Sequence, residues 1–322
     1  MIAKITKWLV LIIFVKIISV LIIARVYTDP RRDVNARENL CRTFNPNVIF
    51  IGTSRTLFGI DPALFDSLNH QKTHSYNFGI FSLSPQSSLR IADQILVNNL
   101  AVKDIYVELS ALDYSTVALK PEYVIQDAIF RANVMADCSN IDSSDKVSSF
   151  LRGLNSTLFQ MLSIAPQIET AKKIVNPVHD PIEGRAALID NGHQSVALAL
   201  SQTNDRLLAN KKATQQMLAQ VRRSKPNTYY ISKINQLIAN AASAGKEVIF
   251  FYPNNITEAE YLILAQVAPY LPEKNLIRLP SGSMLNEFFK PENLFDPHHL
   301  NRKGAAIYTQ FLQKESLRLS NL

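Results

Sequence analysis

The sequence contains very little cysteine, because Cys41 and Cys138 are the only two in 322 residues. This count excludes a fold held together by several disulfides and does not favour a cysteine metal cluster. A single Cys41–Cys138 bridge in an oxidising compartment and two free thiols both fit the sequence. Nucleic-acid-binding motifs, internal repeats and histidine or acidic clusters with metal-ligand spacing are also lacking. We therefore predict no metal, no cofactor and no nucleic-acid partner.

The chain does have enough apolar material for a complete core. Hydrophobic residues make up 47% of the sequence, which fits one large domain or one domain with an insertion. Lysine and arginine exceed aspartate and glutamate by 34 to 27, so the net charge is +7. This balance is compatible with anionic membrane surfaces or with polyanions.

The N-terminal segment is strongly apolar from Trp8 to Val26, interrupted by Lys16, Ser19 and Arg25. As a helix this run would be about 28 Å long, close to the thickness of a bilayer core. No small-residue cleavage site follows it. The sequence therefore predicts an uncleaved signal anchor over residues 1–28 that crosses a membrane once, followed by a polar linker over 29–46.

The remaining residues, 47–322, predict one domain of the α/β class. An apolar run, Val48 to Ile51, indicates a buried strand that ends at Gly52, and a helix begins at Pro62. Short apolar strands alternate with helical patterns again at 104–109, 247–252 and 275–279. Such alternation is typical of a parallel sheet with right-handed crossovers. The stretch 114–226 is mostly helical in pattern and predicts an insertion near the edge of the sheet where a substrate would bind.

Ser54 directly follows the first strand, at the sheet edge where α/β proteins place their ligands. A serine nucleophile needs a base, and the segment Asp296-Pro297-His298-His299 near the end of the chain offers one. A carboxylate on one ring nitrogen of His299 would hold the tautomer that accepts the serine proton. His298 is a rival base, and its other interpretations are a residue that lines the site or a capped surface histidine.

These two motifs, GTSR at 52–55 and DPHHLN at 296–301, resemble the first and last blocks of the SGNH (GDSL-like) hydrolase family. The resemblance implies a three-layer α/β/α, flavodoxin-like domain. It also implies a triad of Ser54 as nucleophile, His299 as base and Asp296 as its orienting carboxylate. The backbone NH of Ser54 would be one donor of the oxyanion hole.

The two middle blocks of the family are matched less closely. The segment 77–82, NFGIFS, aligns with the second block and puts Ser82 where the family has a glycine that donates its backbone NH. In the third block Leu112 replaces an asparagine, and the loss of one oxyanion donor typically costs about 2.7–4 kcal/mol. Arg55, Asn77 and His298 are candidates for substrate binding, with a structural salt bridge as the alternative for Arg55.

The branch of the family that this pattern most resembles is membrane-anchored and acts in the cell envelope. It includes the DltD-like proteins of lipoteichoic acid D-alanylation and the alginate O-acetylation proteins, which work beside a membrane-bound O-acyltransferase. The resemblance implies a serine O-acyltransferase acting on an envelope polysaccharide or teichoic-acid-like polymer. It also implies a single-pass protein of the inner membrane with a periplasmic domain, whereas the flanking charges alone favour the cytoplasmic side. The alternatives are an esterase with the same triad and a catalytically weak polymer-binding scaffold.

Overall fold

A computed structural model describes residues 2–26, 29–98, 101–110, 121–139, 145–162, 188–220 and 224–321, with isolated positions 168, 171 and 175. Four short strands form one sheet in the order β2-β1-β3-β4, and every neighbouring pair is parallel. The predicted α/β class is therefore confirmed. The strands are β1 (Val48–Gly52), β2 (Ser75–Gly79), β3 (Asp104–Glu108) and β4 (Glu247–Phe251).

Helices make up most of the remaining described structure. They are α1 (Ile2–Val26), α2 (Val34–Phe44), α3 (Ser54–Gly59), α4 (Pro62–Leu68), α5 (Pro85–Val97), α6 (Pro121–Cys138), α7 (Lys146–Leu162), α8 (Asp205–Ala219), α9 (Thr228–Ser243), α10 (Glu258–Leu264), α11 (Gly282–Glu287) and α12 (Arg302–Leu319). Short 3-10 turns lie at Ala268–Tyr270, Glu273–Asn275 and Pro291–Asn293.

The sheet is buried on both faces, which explains why its strands are apolar without alternation. In β1, Ile49 and Ile51 belong to a core cluster shared with α5 and α9. The alternate residues of the strand, Val48 and Phe50, face the opposite side and belong to a second cluster shared with α4 and α12. Helices thus cover both faces, and the carboxyl edge of the sheet is left to the loops.

The segment 29–46, which we predicted to be a polar linker, contains the folded helix α2. Asp33 caps its start, and Arg37 and Cys41, one turn apart, are both buried. The Arg37 guanidinium donates to the carbonyl oxygens of Gly79 at 2.6 Å and Gly192 at 3.2 Å. This segment is therefore packed at the end of β2 instead of spanning a gap. Both cysteines are free thiols, so the disulfide alternative is not realised.

The N-terminal segment is helical as α1, and its apolar side chains, such as Trp8 and Phe14, are largely exposed. Among the helices that the structure describes, none combines the length and the apolar character needed to cross a membrane. The predicted membrane-spanning helix over Trp8 to Val26 is thus not supported.

The described parts of the predicted insertion, 114–226, include α6, α7 and α8, and α6 packs along α7. The predicted last strand over 275–279 is wrong, because only a single parallel bridge joins Leu276 to Phe250. The reason is local: the Asn275 side chain donates to the Val248 carbonyl at 2.8 Å. The Asn275 side chain thus occupies the Val248 carbonyl at the open edge of β4, which the backbone of a fifth strand would otherwise have bonded.

Candidate active site

The nucleophile candidate, Ser54, lies on a sharp turn from β1 into α3. Gly52 ends the strand, Thr53 is the N-cap, and Ser54 is the first helical residue. A Cβ atom on Gly52 would lie 2.0 Å from Thr56 Oγ1, so only glycine fits there. The backbone of α3 also passes over Gly79, where an added Cβ would lie 2.3 Å from a helix NH. The turn from β1 into α3 therefore requires glycine at the ends of both β1 and β2, because a side chain at either position would collide with α3.

The histidine candidate comes from a small loop near the other end of the chain. An antiparallel bridge between Leu294 and Leu300 closes this loop, and the Phe295 NH donates to the His299 carbonyl at 3.1 Å. The loop places His299 Nε2 2.8 Å from Ser54 Oγ. Two residues that are distant in sequence thus form a hydrogen bond of the length that a nucleophile and its base require.

Asp296 completes the arrangement on the far side of the ring. Its carboxylate oxygens lie 2.9 and 2.8 Å from His299 Nδ1, and Oδ1 also accepts the backbone NH groups of His298 and His299. Burial acts to raise the pKa of Asp296, but the hydrogen bonds and charge of His299 outweigh it, and the pKa lies below its ordinary value. An ionised carboxylate at Nδ1 selects the Nδ1–H tautomer. Nε2 is then the acceptor for the Ser54 hydroxyl.

Aromatic side chains fix the plane of the His299 ring. Phe295 stacks on it with centroids 5.4 Å apart and an interplanar angle of 10°. Phe58 meets it edge-on at 5.3 Å and itself packs against Phe81 at 5.6 Å. The His299 side chain is 18% exposed, so substrate and solvent reach it from one side only.

The two backbone groups expected to form the oxyanion hole are the NH groups of Ser54 and Ser82. Among the hydrogen bonds of the described residues, none uses the NH of Ser54 or of Ser82 as donor. Ser82 adopts φ of 54°, a left-handed conformation that usually requires glycine. The backbone at Ser82 thus has the conformation that the family's glycine would take. Leu112, the third position, lies outside the described residues.

Arg55 points into the protein, away from any substrate. Its guanidinium donates to Glu260 at 2.5 and 2.8 Å, to Glu108 at 3.2 Å and to the Asn255 carbonyl at 2.7 Å. The residue is only 3% exposed. Arg55 therefore forms a structural salt bridge, which was the alternative to a substrate contact.

Asn77 and His298 also have mainly structural surroundings. The Asn77 amide is fully buried and donates to the carbonyl oxygens of Thr56 and Ile60, both at 2.7 Å, which ties β2 to α3. His298 Nδ1 lies 3.2 Å from the Asn210 side chain of α8. Burial, reinforced by nearby positive charge, lowers the pKa of His298 to about 4, so this ring is neutral at pH 7. His299, and not His298, is the ring bonded to the nucleophile candidate.

Two features of the site were missed from the sequence. The first is the pair Glu108 and Glu260, both buried around Arg55; an acidic residue at the end of the apolar strand DIYVE was the available signal. The second is the segment 188–200, whose Val196 packs with Leu57 and Phe58 beside the His299 ring. No local pattern in that segment indicates its position.

Within the parts of the chain that the structure describes, no group of three or more histidine, cysteine, aspartate or glutamate residues could hold a metal ion. The fold and the site together are those of a parallel α/β domain with a serine–histidine–aspartate arrangement at the carboxyl edge of its sheet. Comparisons with protein-family models, with curated proteins and with solved structures found no match to this chain.

Proposed function

We propose that the protein is a serine acyl-transfer enzyme of SGNH type, with Ser54 as nucleophile, His299 as base and Asp296 as the carboxylate that orients the base. The observation that carries this proposal is the hydrogen-bonded chain from Ser54 Oγ through His299 to Asp296, with each link at 2.8 to 2.9 Å. A chain of this kind is the arrangement that serine acyl transfer requires. The NH groups of Ser54 and Ser82 have no hydrogen-bond acceptor among the described residues. This supports the proposal, because an oxyanion needs such donors.

The chemistry would run as a double displacement. Ser54 Oγ attacks the carbonyl carbon of an ester while His299 Nε2 takes the serine proton. The same proton then passes to the departing alcohol, and the acyl group stays on Ser54. A hydroxyl of the acceptor attacks the acyl-enzyme in turn and gives its proton to His299. His299 passes that proton to Ser54 Oγ as the bond between Ser54 and the acyl group breaks, so the new ester leaves and the resting enzyme is restored.

The acceptor we propose is a hydroxyl group of a cell-envelope polymer, either a polysaccharide or a teichoic-acid-like polymer. The acyl donor would be supplied beside a membrane-bound O-acyltransferase, with the catalytic domain on the extracytoplasmic side. This part of the proposal rests on the resemblance of the GTSR and DPHHLN motifs to the envelope acylation branch. The net charge of +7 suits a polyanionic acceptor.

Hydrolysis is the second candidate reaction, and the exposure of the site favours it. The Asp296 side chain is 40% exposed and His299 is 18% exposed, so water can reach the acyl-enzyme. Without an acceptor polymer the protein would then act as an esterase. A polymer-binding scaffold with a decayed site is less favoured, because all three side chains keep hydrogen-bonding distances.

Intact-mass detection of a covalent adduct tests the proposal. The full-length protein would be treated with a fluorophosphonate, and wild type, Ser54→Ala and His299→Ala would be compared. His298→Ala is the matched control, because it alters the neighbouring residue of the same loop without removing the bond to Ser54. We expect one adduct on wild type and on the control, none on Ser54→Ala, and strongly slowed labelling of His299→Ala. Equal labelling of Ser54→Ala would refute the assignment of the nucleophile.

A fresh sample of the wild-type protein, without fluorophosphonate, can separate transfer from hydrolysis. After acylation by p-nitrophenyl acetate, the decay of the acetyl adduct would be followed with and without an acceptor such as a soluble oligosaccharide. Faster decay with acetylated acceptor as product would identify a transferase. An unchanged decay rate that yields only acetate would identify an esterase.

A further inference from the structure

Glu108 is buried directly beneath the turn that carries Ser54. It is the last residue of β3 and is 2% exposed. Its carboxylate accepts the Thr53 NH at 3.0 Å and the Thr53 hydroxyl at 2.8 Å. It also accepts the Thr56 hydroxyl at 2.6 Å and the Arg55 guanidinium at 3.2 Å. All of these donors belong to the residues on either side of Ser54.

We infer that Glu108 is the positioning residue for the nucleophile, an inference that rests on the proposed acyl-transfer function. The carboxylate holds the backbone and side chain of Thr53 on one side of Ser54 and Thr56 on the other. Ser54 Oγ is thereby left for His299, and its NH is left for an oxyanion. Glu108 does not touch the reacting atoms and acts through the geometry of the turn.

The end of the first strand packs directly against this carboxylate. A Cβ on Gly52 would lie 2.5 Å from Glu108 Oε2, so the strand runs as close to the carboxylate as glycine permits. The turn and the carboxylate are therefore packed as one unit. Small displacements of a reacting group cost a great deal of rate, about 100-fold for about 1 Å.

Glu260 provides a natural control within the same buried charge cluster. Like Glu108, it pairs with Arg55, and it is 1% exposed. Its other bonds lie on the far side from Ser54, where it accepts the Thr257 NH at 2.9 Å at the start of α10. Glu108→Gln and Glu260→Gln therefore remove the same charge from the same cluster, and each changes an acceptor of Arg55. Only the first changes the acceptor of the Thr53 NH and of the Thr53 and Thr56 hydroxyls.

The test compares these two variants with wild type in the full-length protein. The rate of fluorophosphonate adduct formation would be measured across pH, with the melting temperature as the record of stability. We expect Glu108→Gln to lower the pH-independent maximum rate about 100-fold. We expect Glu260→Gln to stay close to wild type in that maximum. Any shift in the midpoint of the pH profile should be similar in both, since both lose one negative charge.

An equal loss of maximum rate in both variants, or a shift in the pH midpoint alone, would overturn the inference by showing that Glu108 acts only as a charge. If Glu108→Gln does not fold, Thr56→Val and Thr56→Ser replace it. Valine removes one donor to Glu108 and should slow adduct formation, whereas serine keeps the hydroxyl and should restore it. Equal rates in those two variants would overturn the inference. A wild-type protein that forms no adduct would instead overturn the proposed function, and this inference with it.

Discussion

Replacing Asp296 by asparagine changes one atom of the site and should nearly abolish its reactivity. In the native protein Oδ1 and Oδ2 both lie within 2.9 Å of His299 Nδ1, and Oδ1 also accepts two backbone NH groups. In the variant, the amide oxygen would keep the two backbone bonds, so the NH₂ group would face Nδ1. A donor at Nδ1 selects the opposite tautomer, with the proton on Nε2. The ring could then no longer accept the proton of Ser54.

The expected loss of acylation rate is about 10⁴-fold, the size of the effect when a triad aspartate becomes asparagine and the base is held in the wrong tautomer. This corresponds to about 5.4 kcal/mol in the activation free energy. The free energy of unfolding should change by only about 1–2 kcal/mol, because the backbone bonds are kept and the carboxylate is partly screened by solvent. The effect is therefore on catalysis and not on folding.

Stopped-flow measurement of the p-nitrophenolate burst from p-nitrophenyl acetate gives the acylation rate directly. Thermal unfolding of the same sample reports on stability. A burst rate for Asp296→Asn within tenfold of wild type, in a protein that melts normally, would refute the tautomer argument. His298→Asn serves as the control in the same loop, and its burst should match wild type.

Three further predictions concern packing and titration. Gly52→Ala should destabilise the protein and prevent fluorophosphonate labelling, because the new Cβ would lie 2.0 Å from Thr56 Oγ1 and 2.5 Å from Glu108 Oε2; normal labelling with an unchanged melting temperature would contradict it. Burial raises the pKa of Asp127 to about 6. The protonated form is thus favoured in the folded state, and the free energy of unfolding should fall by about 3 kcal/mol as the pH rises from about 4 through 6. Asp127→Asn should remove that part of the pH dependence in chemical denaturation, and an unchanged pH profile would refute the assignment. Burial raises the pKa of the Cys41 thiol to about 12, so it should not react with Ellman's reagent until the protein unfolds, and rapid modification of Cys41 in the native state would contradict this.

Much of the site could be predicted from the sequence because its parts follow local rules. An apolar run that ends at Gly52 indicates a buried strand, and Ser54 then falls at the edge of the sheet where ligands bind. Asp296 and His299 are three residues apart, so one tight loop can join the carboxylate to the ring. The strand follows from periodicity alone, whereas the choice of Asp296 and His299 came from the resemblance of DPHHLN to the last block of the SGNH family. The structure has a strand and a loop at those places.

The roles of the buried polar residues could not be predicted in the same way. Arg55 stands next to the nucleophile in sequence and suggested a substrate contact, but its guanidinium is used by Glu108 and Glu260. Glu108 was interpreted only as part of a buried strand and of the segment that aligns with the third block of the family, with no role of its own. Which polar groups are paired inside a protein depends on the elements that pack around them, and these come from distant parts of the chain.

The sequence by itself thus determined the α/β class and the strand that leads to Ser54, and its resemblance to the SGNH blocks indicated the pairing of Asp296 with His299. Only the tertiary structure decided that Ser54 and His299, 245 positions apart, lie 2.8 Å from each other. The same holds for the folded helix α2 in the expected linker and for Glu108 beneath the nucleophile turn. The physical reason is that local patterns reflect backbone preference and burial of one face. Contacts between distant side chains are set only when helices and strands pack around a common core.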